Sequence, residues 1–414
     1  MSSLVVAVLP FGAVVEGAAD EDKGRPGRWA RQLGRRLVDR FAGEAALEVK
    51  PVFLVAMPET LSQAGYLVFG STPDPVLAAE YARSLGATHA LTGTYRESAT
   101  AGKLEASLVE ASGGRVLSTF AHDIAEGELH LVEPALATWL ASSIGVTTQQ
   151  DLAAPVTANS QAYETLLVGM DAEVDATLLR ESDPKGSSAA VARAAAAYTL
   201  AAHADPAAGA IEERILLLAA SAIENDQQAL VLEPLETLAE TRHSSWRLQY
   251  MLGEVRRTSG DLNGAIVAFE HADALQQLRP ADSLTLAQLH IAAGAPAVAA
   301  SRLRRIIRGG AEATLVATAR RLLLGVRHPE LERDLESAGK IAVDGELARA
   351  AEAEAAFDRV LAAEPDLWEA HFGRGLLAWQ RGEADAAQAS FQRAIELNPA
   401  AAELLTDLGR SVKN

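Results

Sequence analysis

Two hydrophobic periods divide the chain. Up to about residue 148, apolar residues come in short runs. From about residue 160 they recur at i, i+3 and i+4, as helices require. LVVAVLPF (4–11) is a continuous apolar run, expected of a strand buried on both faces. An amphipathic pattern predicts a helix over 28–42, with Trp29, Leu33, Leu37, Val38 and Phe41 on one side. ALEVKPVFLVA (46–56) reads as a second strand, edge-like because Pro51 lacks a backbone donor. Asp74 and Pro75 open a helix through Leu85: the Asp caps free amides and the Pro sacrifices none. THALTGTYRE (88–97) is a third strand. KLEASLVEA and RVLSTFAHDI form a hairpin around Ser112, Gly113 and Gly114. A helix over 132–144 buries Val132, Leu136, Trp139, Leu140 and Ile144. The order βαβαβββα describes a small α/β sandwich, one sheet with its helices, over 1–148.

The remainder, 161–414 after a linker at 149–160, reads as paired helices. The clearest pair is WEAHFGRGLLAWQRGEADAAQASFQRAIELNPAA (368–401). Gly375 and Ala387 are small where two backbones must cross closely. Phe391 fills the space they leave, and Ala394 admits the next pair. Gly382 makes the tight turn and Pro399 ends the second helix. These residues and spacings resemble a tetratricopeptide repeat, whose period is about 34 residues. The same positions return in 246–279, at Leu252, Gly253, Gly260, Asp261, Ala265, Phe269 and Ala272. They return again from Pro280, at Leu286, Ala287, Gly294, Ala299, Leu303 and Ile306. Upstream, AYETLLVGM (162–170) is a first helix and Ala194, Tyr198, Ala201 and Pro206 mark its second, with 182–188 as an insertion in the turn. Residues 207–241 form a degenerate repeat. Block 348–365 keeps Ala353, Phe357 and Pro365 but has Val360 at a small-residue slot. The register breaks between 314 and 334, which predicts an extra or irregular helix. A last helix over 402–413, with Leu408 and Gly409, caps the open end that a solenoid would otherwise expose. The fold class is therefore α+β and multidomain: the α/β sandwich, then an α-helical solenoid.

A second resemblance covers roughly the first 170 residues. VVAVLPF, ATHALTGTYRE, LVEASGGRVLSTFAHDI and AYETLLVG stand in the order seen in the TolB amino-terminal and FlgO-like domain, which precedes tetratricopeptide repeats in bacterial regulator proteins. Leu117 and Glu110 depart from the Trp and Asp usual there. The two resemblances imply a module that carries a protein-binding array.

Composition removes several functions. The net charge of −18 disfavours nucleic acid and anionic membranes as partners. The absence of cysteine excludes disulfides, thiol catalysis and thiolate metal sites. The apolar run after Met1 has no basic flank and is short for a signal peptide, so a cytoplasmic protein without membrane insertion is expected. Abundant Ala and an excess of Arg over Lys fit a GC-rich bacterial source. The nine histidines are scattered, and His122, Asp123 and His130 lack metal-binding spacing. No GxGxxG, GxxxxGK[ST] or GxSxG occurs, and no nucleophile has a base at hand. The expectation is a non-enzymatic adaptor with no catalytic residues, cofactor or metal.

Its partner would be a protein segment held on the concave face, which the first helices of the repeats line. That places Arg247, Tyr250, Glu254 and Arg257 in one repeat, and Glu369, Phe372, Leu376 and Trp379 in another, at the interface. Arg304, Arg305 and Arg308 belong to a basic cluster with Arg302, Arg320, Arg321 and Arg327. They could grip an acidic segment, or pair internally with Glu330, Glu332, Asp334 and Glu336. Arg28, Arg31, Arg35, Arg36 and Arg40 read as a solvated helix face. A sensor is the alternative function: Gly70, Ser71 and Thr72 lead into the helix at Asp74, whose N-terminus would attract an anion.

Overall fold

A computed structural model of the chain describes residues 4–15, 24–52, 54–56, 65–67, 72–97, 101–149 and 151–411. It falls into two compact units, Met1–Ser259 and Gly260–Asn414.

The first unit begins with a mixed six-stranded sheet. β1 (Leu4–Val8) lies between β3 (Leu47–Pro51) and β6 (His89–Glu97), parallel to both. β2 (Gly12–Val15) continues along the same side of β6. β7 (Ala101–Glu110) and β8 (Val116–Ala125) then complete an antiparallel meander, giving the order β3-β1-β6-β7-β8. The expected strand over 46–56 ends at Pro51. Leu54–Ala56 is a separate short strand, β4, that pairs with β5 (Gly65–Leu67) outside the main sheet.

Helices cover both faces. α1 (Gly24–Arg40) and α3 (Leu129–Ile144) lie on one and α2 (Pro75–Ser84) on the other. Ala78, Ala79 and Ala82 of α2 pack on Val5, Ala7, Leu9 and Val109. Asp74 caps α2 as expected, its carboxylate accepting from Val76 N–H at 2.7 Å. On the other face Trp29, Leu33, Leu37 and Phe41 of α1 are buried, with the Trp29 ring 5.0 Å from that of Tyr95.

Arg31, Arg35, Arg36 and Arg40 of α1 are not a solvated face, contrary to the sequence reading. α4 (Ser160–Leu179) packs against α1 and α3. Buried Glu133 of α3 accepts from Arg36 Nε at 3.0 Å, Arg40 Nε at 2.9 Å and Tyr163 Oη at 2.9 Å. Arg31 bonds both oxygens of Asp171, and Arg35 bonds Glu173. Burial alone would raise the Glu133 carboxyl, but Arg36 and Arg40 outweigh it and hold the group below the usual range. Arg28 lies where side chains are outside the described residues.

These bonds bear on the expected linker. Arg40 donates to the carbonyls of Leu152 and Ala154, and Thr157 and the N–H of Ala158 bond Asp205. Leu152 is buried. Leu152 to Ala158 thus pack within the first unit, which extends to Ser259.

α5 (Pro184–Ala204) pairs with α4 over the length of both. The stretch 182–188 is not an inserted turn. Asp183 caps α5, accepting from Gly186 N–H at 3.0 Å, and Pro184 opens it. Gly169 of α4 is where the Tyr198 ring of α5 passes, and a methyl there would collide with it. α6 (Gly209–Glu224), α7 (Leu232–Thr241) and α8 (Trp246–Thr258) complete the unit, with a 3₁₀ turn at Gln228–Leu230.

The second unit is all helical: α9 (Leu262–Leu275), α10 (Pro280–Ala292), α11 (Pro296–Arg308), α12 (Ala313–Arg327), α13 (Pro329–Asp344), α14 (Ala350–Ala363), α15 (Trp368–Gln380), α16 (Ala384–Leu397) and α17 (Ala401–Ser411). α10 pairs with α11, α13 with α14 and α15 with α16. The register break at 314–334 is α12, a regular helix that packs on α11. Gly294 and Gly382 turn two hairpins at φ 74° and 77°, where a side chain would be strained. The side chains of Leu408 and Gly409 lie outside the described residues.

In the pair α15/α16 a small residue faces a large one. A methyl on Gly375 would sit 2.6 Å from Phe391 Cδ1. Gly375→Ala gains about 1 kcal/mol of helix propensity, while overpacking costs about 1–3 kcal/mol. A net loss of about 1 kcal/mol is expected in urea unfolding, and Phe391→Leu in the same chain should recover part of it. For Glu133→Gln, which keeps shape but leaves Arg36 and Arg40 buried without a counter-charge, the expected loss is about 3–5 kcal/mol. A loss below about 1 kcal/mol would mean that the network is solvated.

Candidate functional site

The C-terminal pair α15/α16 carries the most distinctive surface of the second unit. A cleft of about 530 Å³ is lined by Trp379 of α15, by Ala387, Gln388, Phe391, Gln392 and Ile395 of α16, and by Leu405 of α17. Trp379 is 48% exposed, unusual for so large an apolar group. It stands clear because Gly382 turns the chain three residues later and directs α16 back beside it.

The four expected interface residues of α15 separate. Trp379 lines the cleft. Phe372 is half-buried and contacts Phe391 edge-on at 5.4 Å. Leu376 is buried at 4% exposure with Phe357, Val360 and Leu377, so it belongs to the core and not to a binding face. Glu369 points inward: its Oε2 is buried without a hydrogen-bond partner among the described residues. Burial pushes its carboxyl up to about 7, and nearby Arg321 only partly opposes this.

In the first unit, α8 presents Arg247, Tyr250, Glu254 and Arg257. Arg247 lies 3.6 Å from Glu213, Glu254 and Arg257 bond one another at 2.6 Å, and Tyr250 is half-buried.

The arginine cluster divides. Arg302 and Arg305 bond Asp273, at 2.7 and 3.2 Å. Arg320 pairs with Asp366, and Arg321 with Glu332 and Glu336. Asp334 bonds Arg359, a residue outside the expected set. Arg304 and Arg308 have no acidic partner among the described residues. With Arg305, Ser301 and Gly309 they line a shallow cavity of about 550 Å³.

Gly70 and Ser71 lie outside the described residues. The Thr72 hydroxyl is bonded to that of Thr94, so it is already engaged. Among the described residues no group of His, Asp and Glu could hold a metal, and no helix is long and apolar enough to cross a membrane.

The cleft lining was missed in the sequence, although 388, 391, 392 and 395 follow the i, i+3, i+4, i+7 spacing of one helix face. Phe391 had been assigned only to packing. The sequence pattern of the tetratricopeptide repeat family matches residues 369–400, which span this hairpin. Residues 369–400 are a tetratricopeptide repeat.

The chain is also similar to three solved structures. YrrB, described as a TPR protein with an unusual peptide-binding site, is 18% identical; the likeness covers 48% of this chain and 96% of that one, at TM-score 0.26. MamA is 17% identical, over 53% of this chain and 96% of that one, at TM-score 0.24. A tetratricopeptide repeat protein from Parabacteroides merdae ATCC 43184 is 12% identical, over 55% and 79%, at TM-score 0.31. Likenesses this loose transfer no residue from those proteins. No curated protein matches the chain.

The buried Glu369 gives a pH signature. Its folded pKa lies above the unfolded value of 4.5, so folding takes up a proton between pH 4.5 and about 7. Its contribution to stability is therefore lost as pH rises through that window, by on the order of 3 kcal/mol. Glu369→Gln should flatten this part of the stability–pH curve and raise stability above pH 7. A variant whose curve parallels the wild type would show the carboxyl to be solvated.

Proposed function

We propose that the chain is a protein–protein interaction scaffold whose repeat array holds a segment of a partner. The exposed indole of Trp379 in its apolar cleft carries this reading. Large aromatics at the centre of an apolar surface supply most of the energy in such interfaces, about 2 kcal/mol or more each. The cleft has the shape and lining for an apolar anchor on a helix or extended segment. Phe372 supports it from behind through Phe391.

Arg304, Arg305 and Arg308 form a second element of the same function. They favour a partner with an acidic stretch, since two of them lack an internal counter-charge while the chain as a whole is acidic. Arg247, Tyr250, Glu254 and Arg257 provide a further polar face on the first unit. The α/β module, similar in its motifs to the TolB amino-terminal and FlgO-like domain, would be the mount for the array. No cofactor or bond-making step enters this activity.

Capture of partners from a native extract, identified by mass spectrometry and then measured with purified protein, tests the reading. Trp379→Ala should weaken the purified complex by at least about thirtyfold, from a loss of 2 kcal/mol, without lowering the melting temperature. Arg304→Glu with Arg308→Glu should slow association and abolish most of its salt dependence, because charges of this kind steer encounter. Unchanged affinity in both variants would move the interface to another face.

A further inference from the structure

A cavity of about 400 Å³ lies within the first unit, where α1, the segment after Leu152 and the start of α6 meet. Its size is that of a small-molecule site. Arg36, Arg40 and Arg214 line it, with Asp39 and Glu213. Arg36 and Arg214 are 4% and 7% exposed. Buried guanidinium groups need a partner for each donor, and the three arginines are not equally supplied.

Arg36 has all three nitrogens engaged, with Glu133 at 3.0 and 3.2 Å and Asp39 at 2.9 Å. Arg40 donates from Nε to Glu133 and from Nη1 to the carbonyls of Leu152 and Ala154, and its Nη2 has no partner among the described residues. Arg214 bonds Asp39 through Nη2 alone, and its Nε and Nη1 have no partner among the described residues. The charges do not balance either. Glu133 is shared by Arg36 and Arg40, Asp39 by Arg36 and Arg214, and Glu213 faces Arg247 at the rim. Four arginines thus stand against three carboxylates, which leaves one positive charge over in a chain that is otherwise strongly acidic. Ala210 brings the first turn of α6 to the cavity, and no side chain caps that end of the helix. Its partial positive charge acts in the same sense.

We propose that this cavity binds a small organic monocarboxylate, its head between Arg40 and Arg214. Guanidinium forks match a carboxylate in geometry, and one negative charge cancels the surplus. A dianionic phosphate would instead add excess negative charge beside Asp39 and Glu213. The rest of the lining sets the other end of the ligand: Ala154, Val156, Ala210 and Leu217 are apolar, so a short hydrocarbon body fits beyond the head. A ligand held there ties α1 to α6 and to the segment between them, and stabilises the first unit by mass action.

Titration calorimetry and melting curves on the full chain, at constant ionic strength, test this with acetate, butanoate and hexanoate. One hexanoate per chain should bind and raise the melting temperature. Affinity should grow about threefold for each added methylene. Hexanamide, the same shape without the charge, should bind at least about tenfold more weakly, as should hexanoate to Arg214→Gln. If Arg214→Gln fails to fold by circular dichroism, Leu217→Glu decides. That side chain is 57% exposed on the cavity wall, and an added carboxylate there should weaken hexanoate to a similar degree without unfolding the chain. Absence of hexanoate binding overturns the proposal. So does binding that a folded Arg214→Gln or Leu217→Glu leaves unchanged, or inorganic phosphate binding as tightly as hexanoate, which would mark a site for any anion.

Discussion

Helix α1 turns Arg31, Arg35, Arg36 and Arg40 toward protein, and the first unit depends on that. Its apolar stripe, Trp29, Leu33, Leu37 and Phe41, closes the sheet. Its arginines must then enter protein and not water. Burying guanidinium groups is costly unless each finds a counter-charge and good geometry. Glu133 supplies both for Arg36 and Arg40, with Tyr163 occupying the remaining lone pair. Asp171 and Glu173 do the same for Arg31 and Arg35. A hydrophobic contact would tolerate sliding of α4 over α1. A row of bidentate and shared ion pairs does not, since any shift leaves several charges unpaired at once. The network therefore fixes position more than it adds stability. It makes the sheet and the first helical hairpin a single body.

Farther along the chain, position is fixed by shape instead of charge. Gly169 admits Tyr198, Gly373 admits Phe357 and Gly375 admits Phe391. Each is a missing side chain on one helix matched to a ring on the next. Such contacts are local in sequence, so each hairpin can be specified by its own residues. The consequence appears at the end of the array. The α16 stripe that would receive a further hairpin is covered only in part by α17, and the uncovered part is the cleft beside Trp379.

This difference explains what the sequence revealed. The cap at Asp74, the turn at Gly382 and the small–large pairing of Gly375 with Phe391 are encoded within a few residues, and all were legible. So was the alternation of the β7–β8 hairpin. The arginines of α1 were misread because their partners on α3 and α4 lie 93 to 140 residues away. An arginine stripe looks the same whether it faces water or a buried carboxylate. The turn at 182–188 was misread for another reason. Ser, Gly and Pro suggested a loop, yet Asp183-Pro184 is the same cap that was recognised at Asp74-Pro75. In the candidate site, Trp379 is exposed while Leu376 is buried, because the half-turn between core and surface on a helix is narrower than the error in judging its orientation. Glu369 followed the same error inward.

Charge bookkeeping in the second unit then separates steering from holding. Nearly every arginine there is matched: Arg302 and Arg305 with Asp273, Arg320 and Arg393 with Asp366, Arg359 with Asp334, Arg381 with Glu354. In a chain of net charge −18, a matched arginine contributes little field beyond its partner. Exposed Arg333 has no ion pair among the described residues, and neither have Arg304 and Arg308, which sit on one helix one turn apart. Their field reaches about 8 Å at physiological salt. In the proposed function they would therefore orient an acidic segment only once it is close, and residence afterwards would fall to contacts that exclude water, such as those of the exposed Trp379 indole.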